Sequence, residues 1–444
     1  MNFNSPGWFD QYLKFRTETP FSRFLPSHGI KILEQEGIHN EMDQEIYSFL
    51  QPTGLLYGSP VTFPFPDQVY PNSQYHDSLE RLILGLLESI FAVLMADRKY
   101  QLEGLEDTSD PLRDVAEIIQ TYYSTPPEGF VPKKSLKEWI FSLFTKPPSD
   151  TALFEKYFVY RVTQGQSLNV LGLFFNNFLF LDVYHCLLLQ RKVLMGETLG
   201  PELVETLNNS HLGHRETLMK LIIVTAYSND SLEREEKLMI QGFLKRSRLP
   251  KPVTELLAVK MNTGLTLNEV EIATAPWLIR RYFLEVVIMM TLLDRVVTKE
   301  EDELLKRLVE RLGLWGEELD QSRIAQETFL FAQGDNLQFF QKKPNLFNIK
   351  NRLKEKAGMA VRKNMNRVVN EIKETKELSQ LLMKSSKTQL NPEEKKKVHD
   401  QLMDILKTIP ALAIFALPGG GIILPVIMKL LPFNILPSSF EEKE

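Results

Sequence analysis

Seven histidines, one cysteine and a triple glycine are the residues here whose types could carry chemistry. The histidines are His28, His39, His76, His185, His211, His214 and His399. Only His211 and His214 are close in sequence, and no third ligand follows at a zinc-site spacing. They are expected at the surface, ahead of a helix, and no metal site is expected. Cys186 is alone, so neither an internal disulfide nor a cysteine-based zinc centre can form; the chain suits a reducing compartment. Gly419–Gly421 lacks the Gly-Lys-Ser/Thr of a phosphate-cradling loop. No G-x-S-x-G elbow and no catalytic Cys/His signature occurs. Trp277 and Trp315 read as packing residues. The expectation is a protein that is not an enzyme and has no cofactor.

Charge is the stronger signal. The 444 residues carry 52 Lys+Arg and 57 Asp+Glu, a net of −5. Between Lys342 and Lys407, 17 Lys/Arg stand against 8 Asp/Glu, a net of +9, which leaves −14 for the rest. An acidic body thus precedes a basic stretch. A like-signed excess of that length favours anionic partners, phosphate-rich lipid or RNA, and the plainer alternative is a solvated helix face. Lys350, Arg352, Lys354, Lys356, Arg362, Lys363, Arg367 and Lys373 are the expected contacts to anionic lipid or RNA. Leu346, Ile349, Leu353, Ala357, Val361, Met365, Val368, Ile372, Leu378 and Leu382 recur every three to four residues. That spacing predicts one long amphipathic helix with a basic opposite face.

The elements that must position these residues are helical. Apolar residues make up 43% and charged residues 25%, ordinary globular values that exclude global disorder and a polytopic membrane protein. The N-terminus shows no charged start followed by an apolar core, so no secretory signal is expected. Residues 1–75 read as an irregular arm, broken by Pro52, Pro60, Pro64, Pro66 and Pro71, with a short helix at Glu41–Phe49. From Ser78 the leucines and isoleucines fall at helical spacing, and further helices are expected at Leu112–Tyr123, Ser135–Phe144 and Ala152–Thr163. No period-2 alternation is convincing, so the fold class is all-α. The expected domains are an arm at 1–75, helical domains at 76–210 and 211–341, and the basic helix with an apolar tail at 342–444.

Two apolar runs reach membrane-span length. Leu168–Leu189 contains Asn176, Asn177, Asp182 and His185, which would be costly in hydrocarbon, so it reads as a buried core helix with Cys186 packed as a small hydrophobe. Thr408–Met428 is 21 residues without a charge. Ile409, Pro410, Pro418, Gly419, Gly420, Gly421, Pro425, Lys429 and Pro432 mark this expected membrane segment, with the prolines 8, 7 and 7 residues apart. Such breakers are tolerated where neighbouring groups satisfy the freed carbonyls. The preceding basic stretch places the body on the cytoplasmic side of a single-pass segment. Lys429 is the only ionisable residue between Thr408 and Phe440, and a lysine snorkels to the interface, so coupled cation–proton exchange is not expected.

Two middle segments resemble each other, Leu221–Leu244 and residues 286–309. Each is an apolar helix, a turn with Asn229 or Asp294, and a second helix that opens with acids, Glu235–Glu236 or Glu300–Glu301. Thr298 and Glu301 can form a capping box. The pattern resembles the TerB-like family of tellurite-resistance proteins over roughly Arg215–Leu314. The resemblance implies an all-α repeat whose acids bind divalent metal in some members. Here the family's Asp-Gly is Asn229–Asp230 and Asp294–Arg295, and capping is the preferred reading.

The C-terminal region resembles the leucine zipper/EF-hand transmembrane (LETM) family. The residues that carry the likeness are Leu390–Lys397, Asp404–Pro410, Pro418, Leu424–Val426, Lys429, Pro432 and Leu436–Phe440. Asn391, Pro392 and Glu394 within it form a second capping box. The resemblance implies a protein at the cytoplasmic face of the inner membrane, an influence on ion homeostasis, and a ribosome-binding domain most of which would lie past Glu444. The family's acid falls on Gly421. The arrangement looks like the bacterial biofilm-associated class, with a TerB-like body ahead of the LETM segment. Anionic lipid and the ribosome are the implied partners, and DNA is not. The alternative is a soluble helical adaptor whose apolar tail packs on its own body.

Overall fold

The helical spacing of the sequence becomes helix throughout the described chain. The computed structural model describes residues 3, 5–19, 41–58, 78–102, 109–124, 150–163, 177–228, 234–272, 275–293, 298–333, 355, 357–409 and 412. Every regular element among them is a helix. The chain divides into two compact units, one of Met1–Ser27 and Phe49–Leu314, the other of His28–Ser48 and Trp315–Glu444.

The N-terminal arm is more ordered than its prolines suggest. It opens with α1 (Trp8–Glu18), and α2 (Glu41–Leu50) follows, one residue longer than expected. Helix α1 carries Trp8, Phe9, Tyr12, Leu13 and Phe15 at helical spacing but has no cap of its own, since Gly7 stands at its start. It is held from outside its own sequence: the Glu155 carboxylate accepts from the backbone N–H groups of Gly7 (2.9 Å) and Phe9 (2.8 Å), satisfying two orphan donors of its first turn. Trp8, Phe9 and Tyr12 are buried, and Phe9 meets Phe154 edge-on at 4.6 Å between ring centroids.

The first unit is built around α3 (Ser78–Gln101), which packs on α6 (Leu179–Leu194). In α3, Leu82, Ile83, Leu86, Leu87, Ile90 and Leu94 are all buried, as their spacing implies. Each contributes about 1.5–3 kcal/mol by leaving water. Helix α4 (Pro111–Tyr122) starts at Asp110, whose side chain accepts from Leu112 and Arg113 N–H, with Pro111 in the first position. Helix α5 (Asp150–Thr163) completes the wall around α1 and α3. The expected helix at Ser135–Phe144 lies outside the described residues. Helix α6 is a core helix, as its sequence suggests: Leu179–Leu187 are all buried, Cys186 among them. Its expected start at Leu168 falls outside the described residues.

The two related middle segments fold as two helical hairpins. Helix α7 (Pro201–Ala226) pairs with α8 (Arg234–Arg246), and after α9 (Lys251–Thr263), α10 (Trp277–Leu293) pairs with α11 (Lys299–Arg311); α7 also packs on α10. The Thr298–Glu301 capping box is present, with both reciprocal hydrogen bonds. Glu236 and Glu301, which align between the repeats, are both buried. The turns with Asn229 and Asp294 lie outside the described residues. Trp277 is a packing residue, but Trp315 is 54% exposed, because it precedes α12 (Gly316–Gln333) and supplies a backbone N–H to Glu318 without entering the core.

Candidate functional site

Over its described residues, the basic stretch is a small bundle and not one long rod. A helical segment over residues 357–363 turns at Asn364 into α13 (Met365–Glu374); Thr375 separates it from α14 (Lys376–Lys387), and α15 (Pro392–Thr408) follows. At both breaks a side chain adds a second donor to the carbonyl four residues back. The Asn364 side-chain amide donates to the Ala360 carbonyl (2.9 Å), and the Thr375 hydroxyl to that of Glu371 (2.9 Å). Across the second break, the Ser379 hydroxyl donates to the Ile372 carbonyl (2.6 Å). The apolar positions that spelled one stripe then converge: Ala357, Val361, Val368, Ile372 and Leu378 share a core with Val398, Leu402, Ile405 and Leu406. Helix α15 starts with the expected capping box, in which Asn391 accepts from Glu394 N–H (2.8 Å) and Glu394 from Asn391 N–H (3.0 Å).

The outer face of this bundle mixes cations with acids, exposed Glu374 and Glu377 among them. Arg362, Lys363, Arg367 and Lys373 are all exposed. On α13, Arg367 and Lys373 are interleaved with exposed Asn366, Asn370 and Glu374, opposite buried Val368 and Ile372. Guanidinium, ammonium and amide donors along one face suit phosphate oxygens. Lys350, Arg352, Lys354 and Lys356 lie outside the described residues. Lys376, Lys395 and Lys396, outside the expected contacts, are also exposed, and the Lys395–Lys397 run is their signal in the sequence. Two lysines are tied to acids, Lys384 to Glu394 (2.6 Å) and Lys397 to Glu377 (2.7 Å).

Of the residues expected in a membrane segment, Ile409 is described, and it is buried with Leu412 in the core of the bundle. Pro410, Pro418, Gly419, Gly420, Gly421, Pro425, Lys429 and Pro432 lie outside the described residues. No helix among the described residues is long and apolar enough to cross a membrane.

A second concentration of charge lies inside the first unit. Asp182 on α6 is fully buried and accepts from Tyr122 (3.2 Å), Tyr123 (3.3 Å) and Arg215 Nη2 (3.3 Å), with Arg248 Nη1 at 3.9 Å. Arg161 lies over both tyrosine rings. Burial alone would raise the Asp182 carboxyl; Arg161, Arg248 and Arg215 outweigh it and hold it below its ordinary value. His211 is not a surface residue ahead of a helix: it sits mid-way along α7, buried, with its ring stacked on His185 at 4.1 Å, while His214 is half-buried one turn on. The polar residues of the apolar α6 run needed partners in the interior, and α7 supplies them. Burial pushes His185 down to about 3 and His214 down to about 4, so these rings are neutral at pH 7. Among the described residues no group of His, Cys, Asp and Glu could hold a metal ion. The arginines that complete the centre come from α5, α7 and the end of α8, and nothing local in the sequence links them to Asp182.

Compared with known proteins, residues 390–444 match the family model described as LETM1-like, RBD. The match takes in α15 and begins within the basic bundle. This supports a LETM-related protein. Neither a curated protein nor a solved structure matches the chain.

Proposed function

We propose that this LETM-related chain is a non-enzymatic adaptor whose C-terminal unit contacts the ribosome through its basic face, at the cytoplasmic surface of the inner membrane. The observation that carries this reading is the coincidence of two things in one unit. The residues matched to the RBD family, the ribosome-binding domain of LETM proteins, begin in the bundle whose outer face displays Arg362, Lys363, Arg367 and Lys373. RNA backbone and anionic lipid would both be met by charge, with salt-sensitive affinity. The apolar run past Leu412 would supply the membrane attachment. We further read the α7–α8 and α10–α11 hairpins as the TerB-like body of the biofilm-associated class, with a role in membrane ion homeostasis.

A second reading, a soluble adaptor whose apolar tail packs on its own unit, is favoured by the burial of Ile409 and Leu412. Two experiments separate these readings. Co-sedimentation with ribosomes and with anionic vesicles across a salt series is expected to show ribosome binding that weakens steeply with salt. Alkaline carbonate extraction of membranes is expected to leave the chain in the pellet. Full release by carbonate selects the adaptor, and salt-independent or absent sedimentation with both partners rejects the charge mechanism.

A further inference from the structure

We propose that the Asp182 centre is a binding site for a phosphate-class oxyanion, taken between the guanidiniums of Arg161 and Arg248. Three guanidiniums converge there on one carboxylate, in a region where Asp182, Arg215 and His211 are all buried. Positive charge left without a counter-charge in such surroundings is costly. Part of the excess is met by helix ends. Arg215 Nη1 donates to the Ser247 carbonyl (2.8 Å) at the end of α8, and Arg248 Nη2 donates to the Arg161 carbonyl in the last turn of α5. Helix C-termini carry partial negative charge.

Arg161 meets no helix end among the described residues; against burial, Asp182 and then the two tyrosines hold its guanidinium above its ordinary value. Its guanidinium makes no hydrogen bond to any described residue and rests on the faces of Tyr123 (4.9 Å) and Tyr122 (5.4 Å). The ring faces offer its N–H groups no carbonyl or carboxylate acceptor. The Arg248 side chain is 22% exposed, while Asp182 is fully buried. Arg248 is also the non-glycine residue with φ at 53°, a left-handed conformation that a β-carbon disfavours. A strained backbone that aims a partly exposed arginine at a charged centre fits a functional constraint. Burial and the neighbouring Arg215 and Arg161 push Arg248 down to about 9, which an added anion would reverse. His211 Nε2, buried, lies 3.6 Å from Asp182 Oδ1 at the same centre. A phosphate group offers several acceptor oxygens to two guanidinium forks, where a carboxylate offers two.

Titration calorimetry on the full chain tests this, with inorganic phosphate measured against chloride at equal ionic strength. Saturable phosphate binding is expected, weakened at least about tenfold in both Arg161→Gln and Arg248→Gly, as loss of a charged hydrogen bond would do. Glycine adopts a φ of 53° without steric cost, so Arg248→Gly keeps the fold, which helical circular dichroism verifies. The double variant Arg362→Gln/Lys363→Gln is expected to keep its phosphate affinity, which separates this centre from the basic face of the other unit. A parallel titration with glycerol phosphate reads the source: tighter binding than inorganic phosphate marks an esterified ligand, and equal or weaker binding marks the free ion. Absence of saturable phosphate binding by the unsubstituted chain, or binding that neither arginine substitution weakens, overturns the proposal.

Discussion

Around Asp182, one buried carboxylate is enclosed by guanidiniums and phenols from α4, α5, α7 and the end of α8, whereas on the α13–α15 bundle Lys384 and Lys397 meet Glu394 and Glu377 in open solvent. The same residue types therefore serve opposite ends. A buried ion group is committed: its members are already desolvated, and removing one leaves the rest uncompensated. An exposed pair is nearly free to exchange partners, because water and salt screen it. The acidic body uses charge to fix how its helices meet, and the basic bundle keeps charge available.

The sharpest way to break this contrast is Asp182→Asn. It leaves Arg215 and Arg248 without their carboxylate and is expected to cost about 3–5 kcal/mol in urea unfolding followed by helical circular dichroism. A loss under about 1 kcal/mol would mean that the centre is not desolvated.

Next in size is a core change on the other side of the comparison. Leu402→Ala opens a cavity among Val361, Ile372 and Leu406 and is expected to cost the bundle about 2–5 kcal/mol. Hydrogen exchange should then accelerate in α13–α15 and stay unchanged in α6 and α7. Equal acceleration in all five helices would show that the two units do not hold separate cores.

Acid sharpens the comparison through the histidines. Burial lowers the folded-state values of His185 and His214 to about 3 and about 4. The unfolded chain therefore takes up protons first, near pH 6.5. Their contribution is complete above that value and is lost as pH falls toward the folded values. Between pH 7 and pH 5 about 1–2 kcal/mol per histidine should disappear from the stability of the first unit. Asp182, whose value is lowered, keeps its contribution in this window and loses it only as pH falls through its folded value. A urea midpoint that is flat from pH 7 to pH 5 would contradict the burial of these rings.

How far the sequence reveals all this depends on the range of the interactions. Local ones are legible: the leucine spacing of α3, the Thr298–Glu301 and Asn391–Glu394 caps, and the burial of α6 with its single cysteine all follow from residues within a turn or two of one another. The cap of helix α1 is not, because the acid that supplies it is Glu155, 146 residues from Phe9. The Asp182 centre is hidden for the same reason, since Tyr122 and Arg215 stand 60 and 33 residues away. A three-to-four spacing predicts one long basic helix, but periodicity does not register where the stripe folds back on itself at Asn364 and Thr375 to form one core.

Two smaller effects test the exposed side. Asn391→Ala removes the cap of α15 and is expected to cost about 1 kcal/mol, confined to the bundle. Lys397→Ala, which removes only an exposed pair with Glu377, is expected to leave the urea midpoint unchanged; a clear fall would show that this pair does more than a screened surface contact.

The salt dependence of ribosome binding by the Arg362→Gln/Lys363→Gln/Lys373→Gln variant tests most directly whether the basic face is the partner surface. Each phosphate contact contributes roughly 0.7–0.9 to the slope of log affinity against log salt. The slope is expected to fall by about two to three, with the stability of both units unchanged. A variant that sediments with ribosomes with the same slope and affinity as the unsubstituted chain would contradict a role for this face.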